Sequence, residues 1–187
     1  MKLSSPYRDL AFAQGLIALV SLLLIPLSSA LAPGVHRLEG VLHGLGATLT
    51  LLLATYTWHA YYGYAKGNDA VRPTLERRLW MTNVLILATL IAGNWLYIGY
   101  QAPEGAAEWF KLHAPAGHWV IMEYKEFVSL LAFPPGIAAS VLLRRFAACA
   151  STSWHIRSVI GLLLTMMWFC LFVGFSFGLV LAKWKLA

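Results

Sequence analysis

Histidines are the residues of this sequence best suited to chemistry, and there are six of them. A neutral imidazole exchanges protons near neutral pH and coordinates transition metals, including the iron of a haem. His43 and His59 share one apolar run, residues 40–65, while His118 and His155 stand at the edges of two further apolar runs. Because an unpartnered polar side chain in apolar surroundings is costly, these four histidines predict a ligand or a proton-transfer role.

The segments that position these histidines have the composition of membrane helices. Of the 187 residues, 59% are hydrophobic and only 12% are charged. Crossing a hydrocarbon core of about 30 Å takes roughly 20 apolar residues in a helix. Five stretches meet this requirement, and they predict one all-α domain, residues 1–187, built as an integral membrane bundle of five transmembrane helices. The predicted spans are residues 10–32, 41–62, 79–100, 127–143 and 159–181.

Basic residues predict the orientation of this bundle. They concentrate in three segments that must lie on one side of the membrane, namely the N-terminal segment and the links after the second and fourth spans. Lysine and arginine favour the cytoplasmic side, so we expect the N-terminus inside and the C-terminus outside. The net charge of +6 is explained by this topology and calls for no nucleic-acid partner. The cations of these three segments are Lys2, Arg8, Lys66, Arg72, Arg77, Arg78, Arg144, Arg145 and Arg157.

The predicted topology sorts the histidines by depth. His43 and His118 would lie near the outer face, whereas His59 and His155 would lie near the inner face. A haem held between helices needs one histidine from each of two facing helices at the same depth. The sequence therefore allows two haems b, one near each face, with these four histidines as axial ligands to the iron.

This layout resembles the dihaem b-type membrane cytochromes that anchor succinate dehydrogenase and fumarate reductase. In that group the ligands come from helices I, II, IV and V and none comes from helix III; here too the third span, residues 79–100, has no histidine. The resemblance implies haem ligation by His59, His118 and His155. The first span has no histidine either, so its ligand role would pass to His43 or to His36.

Helix geometry separates the two histidines of the second span. His43 and His59 are sixteen positions apart. At about 100° per residue, this separation leaves the two side chains roughly 160° apart around the helix. The two histidines are therefore expected to serve different cofactors.

Two further patterns could contribute to a site. Glu123, Lys125 and Glu126 are titratable groups beside the predicted outer haem, where they suit proton exchange with a quinone. Gly40-x-x-x-Gly44 and Gly174-x-x-x-Gly178 allow close helix packing, or space for a flat cofactor near a histidine. A rival use of the outer face is a divalent metal site of histidines and carboxylates. Its candidate ligands are His36, Glu39, His113, His118, Glu123 and Glu126.

Local sequence features also predict breaks and caps. Pro134-Pro135-Gly136 should interrupt the fourth span, and Pro73 should open the third. The segment around Glu108-Trp109-Phe110-Lys111 predicts a short interfacial helix.

Taken as a sequence, the chain is best interpreted as a multi-pass subunit of a bacterial-type inner (cytoplasmic) membrane. It would bind one or two haems b, with quinone as a further ligand, and relay electrons between a quinone pool and a partner protein. Its partners would be membrane lipid and other subunits of an oxidoreductase complex. Catalysis by this chain alone is not expected, since no nucleophile triad or nucleotide-binding fingerprint is present. A cofactor-free accessory subunit is the alternative, and an outer-face metal-binding or transport component is the third.

Overall fold

The fold is known from a computed structural model, which describes residues 37–103, 105–146 and 154–184. The predicted first span, residues 10–32, lies outside these described residues, and so does His36. The described residues contain no β-strand. They form six α-helices: α1, Arg37–Ala65; α2, Arg72–Gln101; α3, Ala106–His113; α4, Glu123–Leu131; α5, Phe133–Arg145; and α6, Trp154–Trp184. A 3-10 turn, Asp69–Val71, precedes α2, and a π-helical turn, Gly117–Met122, precedes α4.

Four helical stretches are long and apolar enough to cross a membrane, and they correspond to the second to fifth predicted spans. They are Glu39–Ala65, Asp69–Gln101, Gly117–Arg145 and Trp154–Trp184. The third of them begins at Gly117, which confirms the start near His118 that the sequence predicts for this helix; the span predicted from residue 127 lies within it. His118 and Lys125 belong to this stretch, and both are buried against neighbouring parts of the protein.

The helices α1, α2, α5 and α6 pack as a ring, in which α6, the last described helix, closes against α1. α1 packs against α2 and α6, and α5 packs against α2 and α6. α2 begins and α5 ends at the same end of this helix arrangement, and we call it the basic end. We call the other end the α3 end. There the aromatic side chain of Phe110 packs against the aromatic side chains of Tyr100 and Trp184, and both centroid distances are 6.3 Å.

Two threonine pairs fix the register between α1 and α2. Thr50 Oγ1 lies 3.1 Å from Thr89 Oγ1, and Thr57 Oγ1 lies 3.0 Å from Thr82 Oγ1. Thr50 and Thr57 also donate to the carbonyl oxygens four residues earlier in α1. Each hydroxyl is therefore satisfied inside an apolar interface, where an unpaired polar group would be costly.

Toward the basic end, the ring is filled by a hydrophobic core and tied by ion pairs. Arg157 of α6 is buried; it donates to the carbonyl oxygen of Tyr64 and pairs with Asp69 Oδ1 at 3.0 Å. Arg144 of α5 pairs with Glu76 of α2. The largest fully buried aliphatic and thioether side chains of this core are Leu75, Leu79, Ile86, Leu143, Ile160, Leu164 and Met167.

The predicted break in the fourth span is confirmed. α4 ends at Leu131 and α5 begins at Phe133, with proline in its first turn. Proline lacks an amide hydrogen and collides with the preceding turn, which is why it starts a helix more readily than it continues one. Pro73 opens α2 in the same way, and the short predicted helix around Glu108 is α3.

Candidate functional site

A cavity of about 1020 Å³ lies toward the α3 end, between α1, α2, α4 and α6. At this level α1 packs against α2 and α4 packs against α6, and the cavity separates the two pairs. Its volume is at the upper end of the range of about 300–1000 Å³ that is usual for small-molecule and cofactor sites. The wall is mainly apolar, with a few polar side chains: His43, Thr48, Thr50, Thr89, Tyr97, Tyr100, Lys125 and Ser129.

Glycines on two helices, α2 and α6, make room for polar side chains of this wall. A Cβ on Gly93 would lie 2.8 Å from His43 Cε1, and a Cβ on Gly174 would lie 2.6 Å from Ser129 Oγ. All four glycines of the two predicted G-x-x-x-G patterns line the cavity, together with Gly93, Gly99 and Gly105. The glycines thus serve two purposes, since they admit polar groups to the helix interfaces and leave parts of the wall without side chains.

His43 is held in a defined orientation on the wall of the cavity. Its Nδ1 lies 3.1 Å from the carbonyl oxygen of Thr89, and because that oxygen can only accept, Nδ1 must be the donor. The other ring nitrogen, Nε2, then carries the lone pair of a neutral imidazole. Metal-binding histidines generally hold the ring in this manner, with one nitrogen donating to a carbonyl or carboxylate. Among the described lining residues, His43 is the only histidine.

Lys125 brings a cation into the same wall. Its side chain is 10% exposed, and its Nζ donates to Glu126 Oε1 at 2.7 Å. Both groups are close enough to the His43 ring to interact with it electrostatically. Glu123 is exposed and accepts from Tyr97 at 3.4 Å. Of the three predicted proton-exchange residues, Lys125 therefore reaches the cavity, Glu126 is its partner, and Glu123 lies at the surface.

His118 is buried but is separate from the cavity wall. The residue is only 2% exposed, and its Nδ1 lies 2.8 Å from the hydroxyl of Tyr100. Tyr100 does line the cavity, so His118 can act on the cavity through this hydroxyl. The structure thus puts His43 and His118 in the same half of the bundle and places Tyr100 beside the second of them.

His59 and His155 are both exposed on the outside of the bundle. On α1 the buried positions Ala54, Thr57, Ala60 and Tyr64 define the inward face, and His59 lies off this face. His155 packs edge-on against its neighbour Trp154 at a centroid distance of 5.4 Å. Neither histidine lines the cavity toward the α3 end.

The rival metal ligands are dispersed. His113 is exposed and bonded to the carbonyl oxygen of Trp109 at 3.0 Å, while Glu39 is 6% exposed and its Oε2 has no hydrogen-bond partner among the described residues. Within residues 37–103, 105–146 and 154–184, no group of three histidine, cysteine or acidic side chains is arranged to hold a metal ion.

The residues of the cavity fit a flat cofactor with a single histidine ligand better than one with two. His43 is held by Thr89, the glycines leave parts of the wall without side chains, and Lys125, paired with Glu126, is a cation among the lining residues. Sequence reasoning missed Thr89, Tyr100 and Ser129, because their types are common in membrane helices and only their neighbours give them a role. No family model, no curated protein and no solved structure matches this chain.

Proposed function

We propose that this chain is a membrane-embedded electron-transfer subunit in which the cavity toward the α3 end would hold one haem b, with His43 as the residue that would ligate its iron. The observation that carries the proposal is the bond from His43 Nδ1 to the carbonyl oxygen of Thr89, 3.1 Å long, on the wall of a large apolar cavity. Haem, when bound, supplies one-electron chemistry between a quinone pool and a partner protein.

The chain's own residues would bind and orient the cofactor. Thr89 fixes the tautomer and the ring plane of His43, so that Nε2 is kept as the basic nitrogen. Lys125 would neutralise a carboxylate at the edge of the macrocycle, sharing its charge with Glu126. The apolar wall would exclude water and so favour an uncharged site.

The same cavity supports a quinone as a second candidate ligand. The observation in its favour is the burial of Lys125, since a cation with N–H donors suits a carbonyl oxygen that gains negative charge on reduction. The hydroxyls of Tyr97 and Tyr100 also line the cavity. In this case Glu126, as the partner of Lys125, would be the nearest carboxylate for proton exchange.

An absorption spectrum of the purified full-length chain tests the proposal. We expect a Soret band and reduced alpha band of haem b, and we expect His43→Ala to lose both. His59→Ala is the matched control, because it removes an exposed histidine from the same helix and should keep the spectrum.

The opposite outcomes are equally informative. A chain purified from a haem-replete host without visible absorbance contradicts the proposal, and quinone in its organic extract would then favour the second candidate. Absence of both would favour the cofactor-free accessory subunit. Loss of haem in His59→Ala, with retention in His43→Ala, would refute the ligand assignment made here.

A further inference from the structure

A second, smaller cleft lies at the basic end, remote from the cavity. Its volume is about 300 Å³, and it is formed by the first turns of α2 and the last turn of α5. The α2 residues of the cleft are spaced at i, i+3, i+4 and i+7, which places them on one helix face. The lining residues are Pro73, Glu76, Arg77, Trp80 and Arg144.

The cleft holds more positive than negative charge. Arg144 Nε is bonded to Glu76, and this pair links α5 to α2. Arg77 is exposed and forms no hydrogen bond or ion pair with any residue of the described ranges. Two guanidinium groups therefore face one carboxylate, and the charge of Arg77 is uncompensated.

An aromatic side chain completes the cleft on its apolar side. Trp80 is 41% exposed, and the next residue, Met81, is 46% exposed. Tryptophan is enriched where the hydrocarbon core of a membrane meets the headgroups. The cleft thus combines cationic donors with an exposed apolar surface along a helix that is long and apolar enough to cross a membrane.

We propose that this cleft binds the phosphate headgroup of an anionic phospholipid. A guanidinium presents paired N–H donors that match phosphate oxygens, and Arg77 has all its donors available for that purpose. Trp80 and Met81 would lie along the glycerol region and the first part of the acyl chains. Basic pockets between membrane helices are suited to such headgroups. The cleft and the cavity toward the α3 end use different residues, so this proposal does not rest on the proposed function.

Native mass spectrometry of the full-length chain in an uncharged detergent tests the proposal. The probes are phosphatidylglycerol and phosphatidylcholine with identical acyl chains. We expect phosphatidylglycerol to bind more tightly, and Arg77→Gln to weaken its binding about fivefold, as expected for one arginine near anionic lipid. Arg145→Gln is the matched control, since it removes an exposed cation from the same end but outside the cleft, and it should change binding less than about twofold.

A gain-of-binding variant guards against simple loss of structure. Glu76→Gln removes the carboxylate that compensates Arg144, so phosphatidylglycerol should then bind about fivefold more tightly. Equal weakening by Arg77→Gln and Arg145→Gln would overturn the proposal in favour of a diffuse surface charge. Displacement of the lipid by millimolar inorganic phosphate would overturn the assignment to a lipid and indicate a soluble anion instead.

Discussion

Replacing Gly93 by alanine is expected to destabilise the bundle, although alanine is the better helix former. The new Cβ would lie 2.8 Å from His43 Cε1 and 3.0 Å from His43 Nδ1. Ordinary carbon contacts are about 3.5–4.0 Å, so the imidazole must move. It cannot move far while Nδ1 donates to Thr89, because that bond, at 3.1 Å, is already near the long end of the usual range.

The expected magnitude follows from three terms. Overpacking costs about 1–3 kcal/mol, and the loss of a hydrogen bond costs about 0.5–1.5 kcal/mol. Replacing a glycine inside a helix returns about 0.5–1 kcal/mol. We therefore expect the free energy of unfolding to fall by about 0.5–4 kcal/mol in Gly93→Ala.

The chain offers a matched control for this change. Gly44 also lines the cavity, on the same helix as His43, but a Cβ there would meet no atom within 4 Å. Gly44→Ala should be neutral or stabilised by up to about 1 kcal/mol. Reversible unfolding in mixed micelles of mild and denaturing detergent, monitored by far-UV circular dichroism, measures both. If Gly93→Ala is as stable as Gly44→Ala, the close approach of His43 to α2 is refuted.

Two further predictions concern polar contacts within the bundle. Tyr61→Phe should lower the free energy of unfolding by about 0.5–1.5 kcal/mol, because it removes the 2.8 Å hydrogen bond from the hydroxyl to the carbonyl oxygen of Arg157. The control is Tyr62→Phe, at an exposed neighbour, which should change the same free energy by less than about 0.5 kcal/mol. Glu126→Gln should destabilise the chain more than Lys125→Met in the same assay, because the first change leaves a buried cation unpaired and the second removes it; the reverse order would show that Lys125 is solvated.

Much of the fold could be predicted from the sequence, because long apolar runs and prolines act locally. Four predicted spans correspond to helices long and apolar enough for a membrane, and Pro134 and Pro135 mark the start of α5. The start of the helical stretch before this break, near His118, was also predicted, whereas the burial of Lys125 was not. Charged residues such as Lys125 were assumed to end the apolar region, whereas Lys125 is buried beside its partner Glu126.

The candidate site was less predictable, because it depends on the rotation of each helix about its own axis. His43 and His59 were correctly separated to different sides of α1, and only the first faces the cavity. Which side is inward depends on contacts with other helices, such as Gly93 beside His43. Pairing histidines by depth alone, as with His59 and His155, does not take this rotation into account. The ligation of haem by any histidine stays a prediction.

The paired threonines between α1 and α2 have a consequence for biogenesis. The pairs Thr50–Thr89 and Thr57–Thr82 are spaced by seven residues on each helix, so a slide of one heptad would keep only one of them. The link between the two helices is short, and they follow one another in the chain. We therefore expect α1 and α2 to insert and align as a hairpin before α6 is synthesised. The hairpin would then act as the template on which the later helices assemble.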